Sequence, residues 1–174
     1  SALTRRFFRD FRAQRDAVSR TWIGLDSASQ RDREQLALLF LSRLVFLYFL
    51  QKQGHLGSDG YLIDLLRDGV DGSARQTFYR RRLVPLFFGV LNTPIAARSR
   101  EARELGELPY LNGGLFEPHA LERRHPALDL PGRQAPGGGG PGDGAAQRRV
   151  AVVPGDLLDD VDLGPGVVPP RGDD

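Results

Sequence analysis

The 174-residue sequence has no cysteine, which excludes disulfides and thiolate zinc sites and leaves the redox compartment open. Lysine is almost missing as well: of 24 basic residues only Lys52 is a lysine. The residue two positions before it is Leu50, so the Asp…(Asp/Glu)-x-Lys arrangement of one large nuclease class is not available. A phosphate-cradling P-loop needs Gly-Lys, which does not occur. An Asn-Pro-Pro-Tyr amino-methyltransferase site needs Asn before Pro, and Asn92 and Asn112 are followed by Thr and Gly. Histidines are few. His119 and His125, with Glu117 and Glu122, make at most a weak metal cluster, and a surface helix end is the plainer reading. No Ser-His-Asp set stands out, because only geometry selects one serine among several. No catalytic, cofactor-binding or metal-ligating residue is therefore assigned.

A charged-then-apolar leader with a small-residue cleavage site is also missing, so the expected location is the cytoplasm. What the chain does have is Leu36–Leu50, LALLFLSRLVFLYFL, in which thirteen of fifteen residues are apolar. Such a run calls for burial on almost every face. As a helix it spans roughly 22 Å, short of a ~30 Å hydrocarbon core, and Arg43 near its midpoint is costly in lipid. The reading is a central helix of a folded core, with no membrane partner and with Arg43 either paired or at the core's edge.

Periodicity fills in the rest. Leu3, Phe7, Phe11, Val18 and Trp22 recur at helical spacing, with Phe8 widening the stripe and Arg5, Arg9, Arg12 and Asp16 opposite as a solvated face. The central helix starts near Ser27 or Ser29, each with an acid or amide three residues on, and stops at Lys52–Gly54. Asp59 caps a short helix Tyr61–Arg67 with Leu62, Leu65 and Leu66 inward, ended by Gly69 and Gly72. Ser73 caps a helix running through Phe78 and Tyr79 to Leu91, which Pro85 kinks or divides. Arg98–Leu105 is a short exposed helix or a loop. In Pro109–Pro118, PYLNGGLFEP, the Asn-Gly-Gly step is a strong turn signal because left-handed backbone angles cost little there.

Charge divides the chain. Residues 1–125 carry a net +6 and residues 126–174 a net −4. Arg80-Arg81-Arg82 is the densest basic cluster; on a helix the three fan across roughly 200°, so at most two face one partner. A solvated face is the plain reading, and phosphate contact with nucleic acid is the sharper one. Residues 126–174 hold 11 Gly and 8 Pro and no aromatic residue, which predicts disorder.

Together LTRRFFRDFRAQRDAVSRTW, DREQLALLFLSRLVFLYFLQKQG, LVPLFFGVLNTP and PYLNGGLFEP resemble the helical region of large bacterial DNA adenine methyltransferases. That family includes the type IIG restriction–modification enzymes and the related BREX-type phage-exclusion methyltransferases. The resemblance covers about residues 3–125, and Pro109–Pro118 is its most specific part. It implies a segment that precedes an S-adenosylmethionine-dependent methyltransferase core and sometimes follows a nuclease that uses Mg2+. The family continues into a cofactor glycine loop, whereas Gly137–Gly140 follows no strand and reads as linker. Only Pro109, Tyr110, Asn112, Gly113, Gly114 and Phe116 carry over, as a structural turn. The abrupt change of character between about Leu121 and Pro136 suggests a truncated or frame-shifted reading frame.

The resulting expectation is an all-α irregular bundle of about four to five helices around a buried helix at 30–53. The helical connector spans 1–125, followed by a disordered Gly/Pro-rich tail, 126–174. The expected role is non-catalytic, within a DNA adenine-N6 methyltransferase of a restriction–modification or phage-defence system. Its partners would be DNA in the parent enzyme and a missing methyltransferase domain or separate subunit. The alternative is a stand-alone helical protein- or DNA-binding module.

Overall fold

Ser29 decides where the central helix begins. Its backbone is extended and its hydroxyl accepts the Asp32 N–H at 3.1 Å, satisfying one donor that the first turn cannot satisfy itself. This is the second of the two predicted registers. In the computed structural model, which describes residues 2–67, 79–111 and 113–130 (the side chains of Leu3, Leu66 and Arg67 excepted), helix α2 then runs Gln30–Lys52. It stops where predicted. Gly54 sits at φ +76°, its N–H donates to Gln51 O, and the His55 N–H donates to Leu50 O, both at 2.9 Å. These two bonds close the last carbonyls in a Schellman stop.

Helix α1, Ala2–Thr21, packs on α2 through Val18, the half-buried Phe11 and the following Trp22. The Trp22 ring meets Phe40 at 5.8 Å and Tyr79 at 5.4 Å, both edge-to-face. Arg33 in the first turn of α2 donates to Leu25 O at 2.5 Å and clamps the α1–α2 turn. Phe8 departs from expectation: it lies outside the apolar stripe and is 60% exposed.

The all-round burial expected of α2 is only partly realised. Leu36, Phe40, Leu41, Leu44, Leu47 and Leu50 face the core, whereas Leu38, Phe46 and Phe49 are exposed, with the Ser42 hydroxyl turned back onto Leu38 O at 2.8 Å. By length and composition α2 passes for a membrane-crossing helix, and half of its most apolar window is buried inside the protein.

Helix α3, Tyr61–Arg67, starts on a different cap from the predicted Asp59. The buried Gln51 of α2 accepts the Leu62 N–H at 2.9 Å, so the cap comes from another helix. The predicted stop at Gly69 and Gly72, the cap at Ser73 and the helix start at Phe78 lie outside the described residues.

Two π-helical pieces follow, Tyr79–Leu83 and Pro85–Leu91. Val84 joins them at φ −61° and ψ −49°, so the predicted division at Pro85 occurs without the chain leaving helical space. Pro85 cannot donate to residue i−4, and the wider winding accommodates the missing bond. Leu83, Leu86, Phe87, Val90 and Leu91 from these pieces are buried.

A 3-10 turn, Ile95–Ala97, leads to the one-turn helix α4, Arg100–Arg103, capped by Ser99 and seated by Ala102 against Gly89. Leu111 N–H donates to Leu91 O at 2.8 Å, bringing the chain back to the core. A second 3-10 turn, Gly114–Phe116, precedes helix α5, Ala120–Arg124. Among the described residues there is no strand beyond an isolated antiparallel bridge, Ile23–Asp129, so the fold is all-α as the periodicity predicts.

That bridge ties residues beyond the expected boundary at 125/126 to the helical region. Ile23 and Asp129 exchange two backbone hydrogen bonds of 3.0 Å, and Leu128, Asp129 and Leu130 are buried. Asp129 also accepts the Arg80 N–H at 3.1 Å and the Leu130 N–H at 2.9 Å. Composition averaged over 126–174 conceals two leucines that alternate with a capping acid and reach the core. Residues 131–174 lie outside the described residues.

Candidate functional site

The strongest concentration of polar chemistry is buried. Arg43, 1% exposed, points from the middle of α2 into the loop that contains the Asn-Gly-Gly step. Its Nε donates to Leu115 O at 2.7 Å and its Nη2 to Glu117 O at 2.8 Å. Its two terminal nitrogens grip Glu122 of α5 as a fork, Nη1 to Oε1 at 2.6 Å and Nη2 to Oε2 at 3.1 Å. The guanidinium carbon lies 5.1 Å from the Phe87 ring centre and 5.3 Å from that of Phe88.

Glu122 is fully engaged in return. Oε2 accepts the His119 N–H at 2.7 Å, and His119 Nδ1 accepts the Leu121 N–H at 3.2 Å, closing a capping box at the start of α5. The Tyr79 hydroxyl donates to Oε1. Burial pushes the Glu122 carboxyl up, but the Arg43 charge and the hydrogen bonds from Arg43, Tyr79 and His119 hold it below the ordinary range. Burial, reinforced by the Glu122 charge, pushes the Tyr79 phenol well above its usual value.

A centre this closed locks geometry and offers no face to a substrate. It joins α2, the π-helical segment, the 109–118 loop and α5 in one network. Phe116 completes it, 1% exposed and 5.7 Å from the Phe87 ring. The Gly113 N–H donates to Leu111 O at 2.9 Å, and the two glycines of the Asn-Gly-Gly step are not left-handed. Gly113 is extended at φ −159°, Gly114 belongs to the 3-10 turn, and neither has a positive φ. A methyl group at either glycine would meet nothing within 4 Å. Pro109 is half-buried, Tyr110 is 39% exposed, and Asn112 lies outside the described residues.

Over 93 residues, 52% of this chain, the sequence is 36% identical to a Methanocaldococcus jannaschii protein named "Putative type II restriction enzyme and methyltransferase". This chain resembles a piece of a restriction–modification protein. The matched region spans 8% of that relative's length. No family model matches the chain, and no solved structure matches it.

The remaining predicted site residues do not converge. Arg80 is tied into the fold: its guanidinium donates to Pro126 O and its N–H to Asp129. Arg81 is exposed and Arg82 half-buried. His119 and Glu122 serve the α5 cap, and no group of three His, Cys, Asp or Glu side chains is placed to hold a metal among the described residues. Sequence reasoning missed Glu122 as the partner of Arg43; His119 three residues before it was the available signal, as a cap without the usual serine. It also missed Arg98, whose buried guanidinium donates to Leu108 O at 2.7 Å and Thr93 O at 3.2 Å. Burial lowers the pKa of Arg98, and its Nη2 has no hydrogen-bond partner among the described residues.

Proposed function

We propose that this chain is a non-catalytic helical segment of a DNA adenine-N6 methyltransferase belonging to a restriction–modification or phage-defence system. The 36% identity to part of a restriction and methyltransferase protein carries the reading. The buried Arg43–Glu122 centre supports it, because a network that ties four segments together suits a connector that orients flanking domains. The parent acts on DNA in the cytoplasm and transfers the methyl group of S-adenosylmethionine, after turning the target base out of the duplex.

On this reading S-adenosylmethionine and the methyl transfer belong to a methyltransferase domain or separate subunit, and Mg2+ to a nuclease domain. The sequence supports this by lacking an Asn-Pro pair. The purified chain, incubated with labelled S-adenosylmethionine and adenine-containing duplex, transfers no methyl group and gives no heat on titration with the cofactor. Methyl transfer by the chain alone would overturn the reading.

A further inference from the structure

The two aspartates of α1 are engaged by neighbours: Arg6 lies 3.7 Å and Arg9 3.0 Å from Asp10, and Arg15 lies 2.6 Å from Asp16. The helix carries six arginines against those two acids. Arg5 and Arg12 are exposed, and neither forms an ion pair among the described residues. Between them sits Phe8, 60% exposed although the helix has a buried apolar face available on its other side. Arg5, Phe8, Arg9 and Arg12 fall within about 100° of arc, and Arg5 and Arg12 are about 10 Å apart along the axis.

From this arrangement we propose that the outer face of α1 is a DNA-docking surface, with Arg5, Arg9 and Arg12 on the phosphates of one duplex and Phe8 against the sugars between them. The choice of duplex DNA rests on the reading of the parent as a DNA-modifying enzyme; the polyanion chemistry rests on the face itself. Charge complementarity selects this partner. An anionic membrane fits less well, because an interfacial helix must give its apolar face to the lipid, and here Phe11, Val18 and the adjoining Trp22 face the protein core. The contact positions the protein without reading sequence. It also moves the phosphate contact away from Arg80-Arg81-Arg82, of which Arg80 is held by Pro126 and Asp129.

Fluorescence anisotropy of the full chain on a labelled duplex over a salt series tests this. Each phosphate contact contributes about 0.9 to the slope of log affinity against log salt, so R5A/R9A/R12A flattens the slope by about 2 to 3. R5K/R9K/R12K keeps the slope. F8A lowers affinity by the same factor at every salt concentration and leaves the slope alone. An unchanged slope in the alanine variant overturns the proposal, as does a slope loss confined to R81A/R82A. So does preference for phosphatidylserine vesicles over duplex, or no duplex binding at low salt. None of these outcomes touches the assignment to a methyltransferase parent, which the methyl-transfer and cofactor-titration assays address separately.

Discussion

Arg43 and Glu122 are 79 residues apart in sequence and 2.6 Å apart in space, and both are nearly sealed from solvent, at 1% and 7% side-chain exposure. Removing one partner from such a pair leaves the other charge buried and unpaired. Glu122→Ala is expected to cost about 3 to 5 kcal/mol. Arg43→Met with Glu122→Leu together should cost much less than the two single changes added. Urea denaturation of the four proteins measures the coupling, and a single-mutant cost below about 1 kcal/mol would show that the pair is not a keystone.

The same centre sets the acid limb of stability. Because the folded-state pKa of Glu122 is held below its ordinary 4.5, its contribution is fully present above that value and is lost as pH falls through the lowered one. Thermal melts from pH 7 downward should stay level to about pH 5 and fall below it, with a flatter fall in Glu122→Gln.

At the alkaline end the sign reverses. Tyr79 is pushed up by burial and the Glu122 charge, and Tyr61, whose hydroxyl donates to Leu105 O at 3.0 Å, is pushed up by burial to about 12. Both phenols favour folding in their neutral form. Their contribution is complete below the ordinary value of 10.0 and is lost as pH rises above it. Phenolate absorbance followed alongside circular dichroism should show ionisation of these two tyrosines coinciding with unfolding; early ionisation in a fully folded protein would contradict their burial.

Two glycines with nearly equal φ separate strain from crowding. Gly24 at φ +73° would place a Cβ 2.1 Å from Ala127 O, whereas Gly54 at φ +76° has open space. Gly54→Ala should cost about 1 kcal/mol, the conformational part alone. Gly24→Ala must in addition push the 127–129 segment off the Ile23 bridge, and its larger loss is read from the same denaturation curves. Equal costs would mean that the bridge yields freely.

The contribution of residues 126–130 to the fold is testable by truncation. Leu128 and Leu130 are 3% and 5% exposed, and burying one leucine contributes about 1.5 to 3 kcal/mol. A chain ending at residue 130 should melt higher than one ending at 125, by several degrees for each kcal/mol retained. Identical melting points would return the boundary to residue 125.

Local chemistry was readable from the chain itself: the α2 start at one of two capping registers, the Gly54 stop, the helical class and the apolar run of α2 depend on residues within a few positions of one another. The Arg43 ion pair was half readable. An arginine among thirteen apolar residues needs a partner, but its partner lies in a charged stretch where only the His119 cap three residues earlier sets Glu122 apart from Glu117. Tertiary packing alone chose among acids, because pairing depends on which helix end the fold delivers to the middle of α2. Packing likewise sent Phe8 outward, replaced the expected Asp59 cap with Gln51, and drew Leu128 and Leu130 into a core that composition had placed elsewhere. Periodicity and capping act over one or two turns and so leave a record in neighbouring residues. Burial and ion pairing act between segments, and their record exists only once the chain has folded.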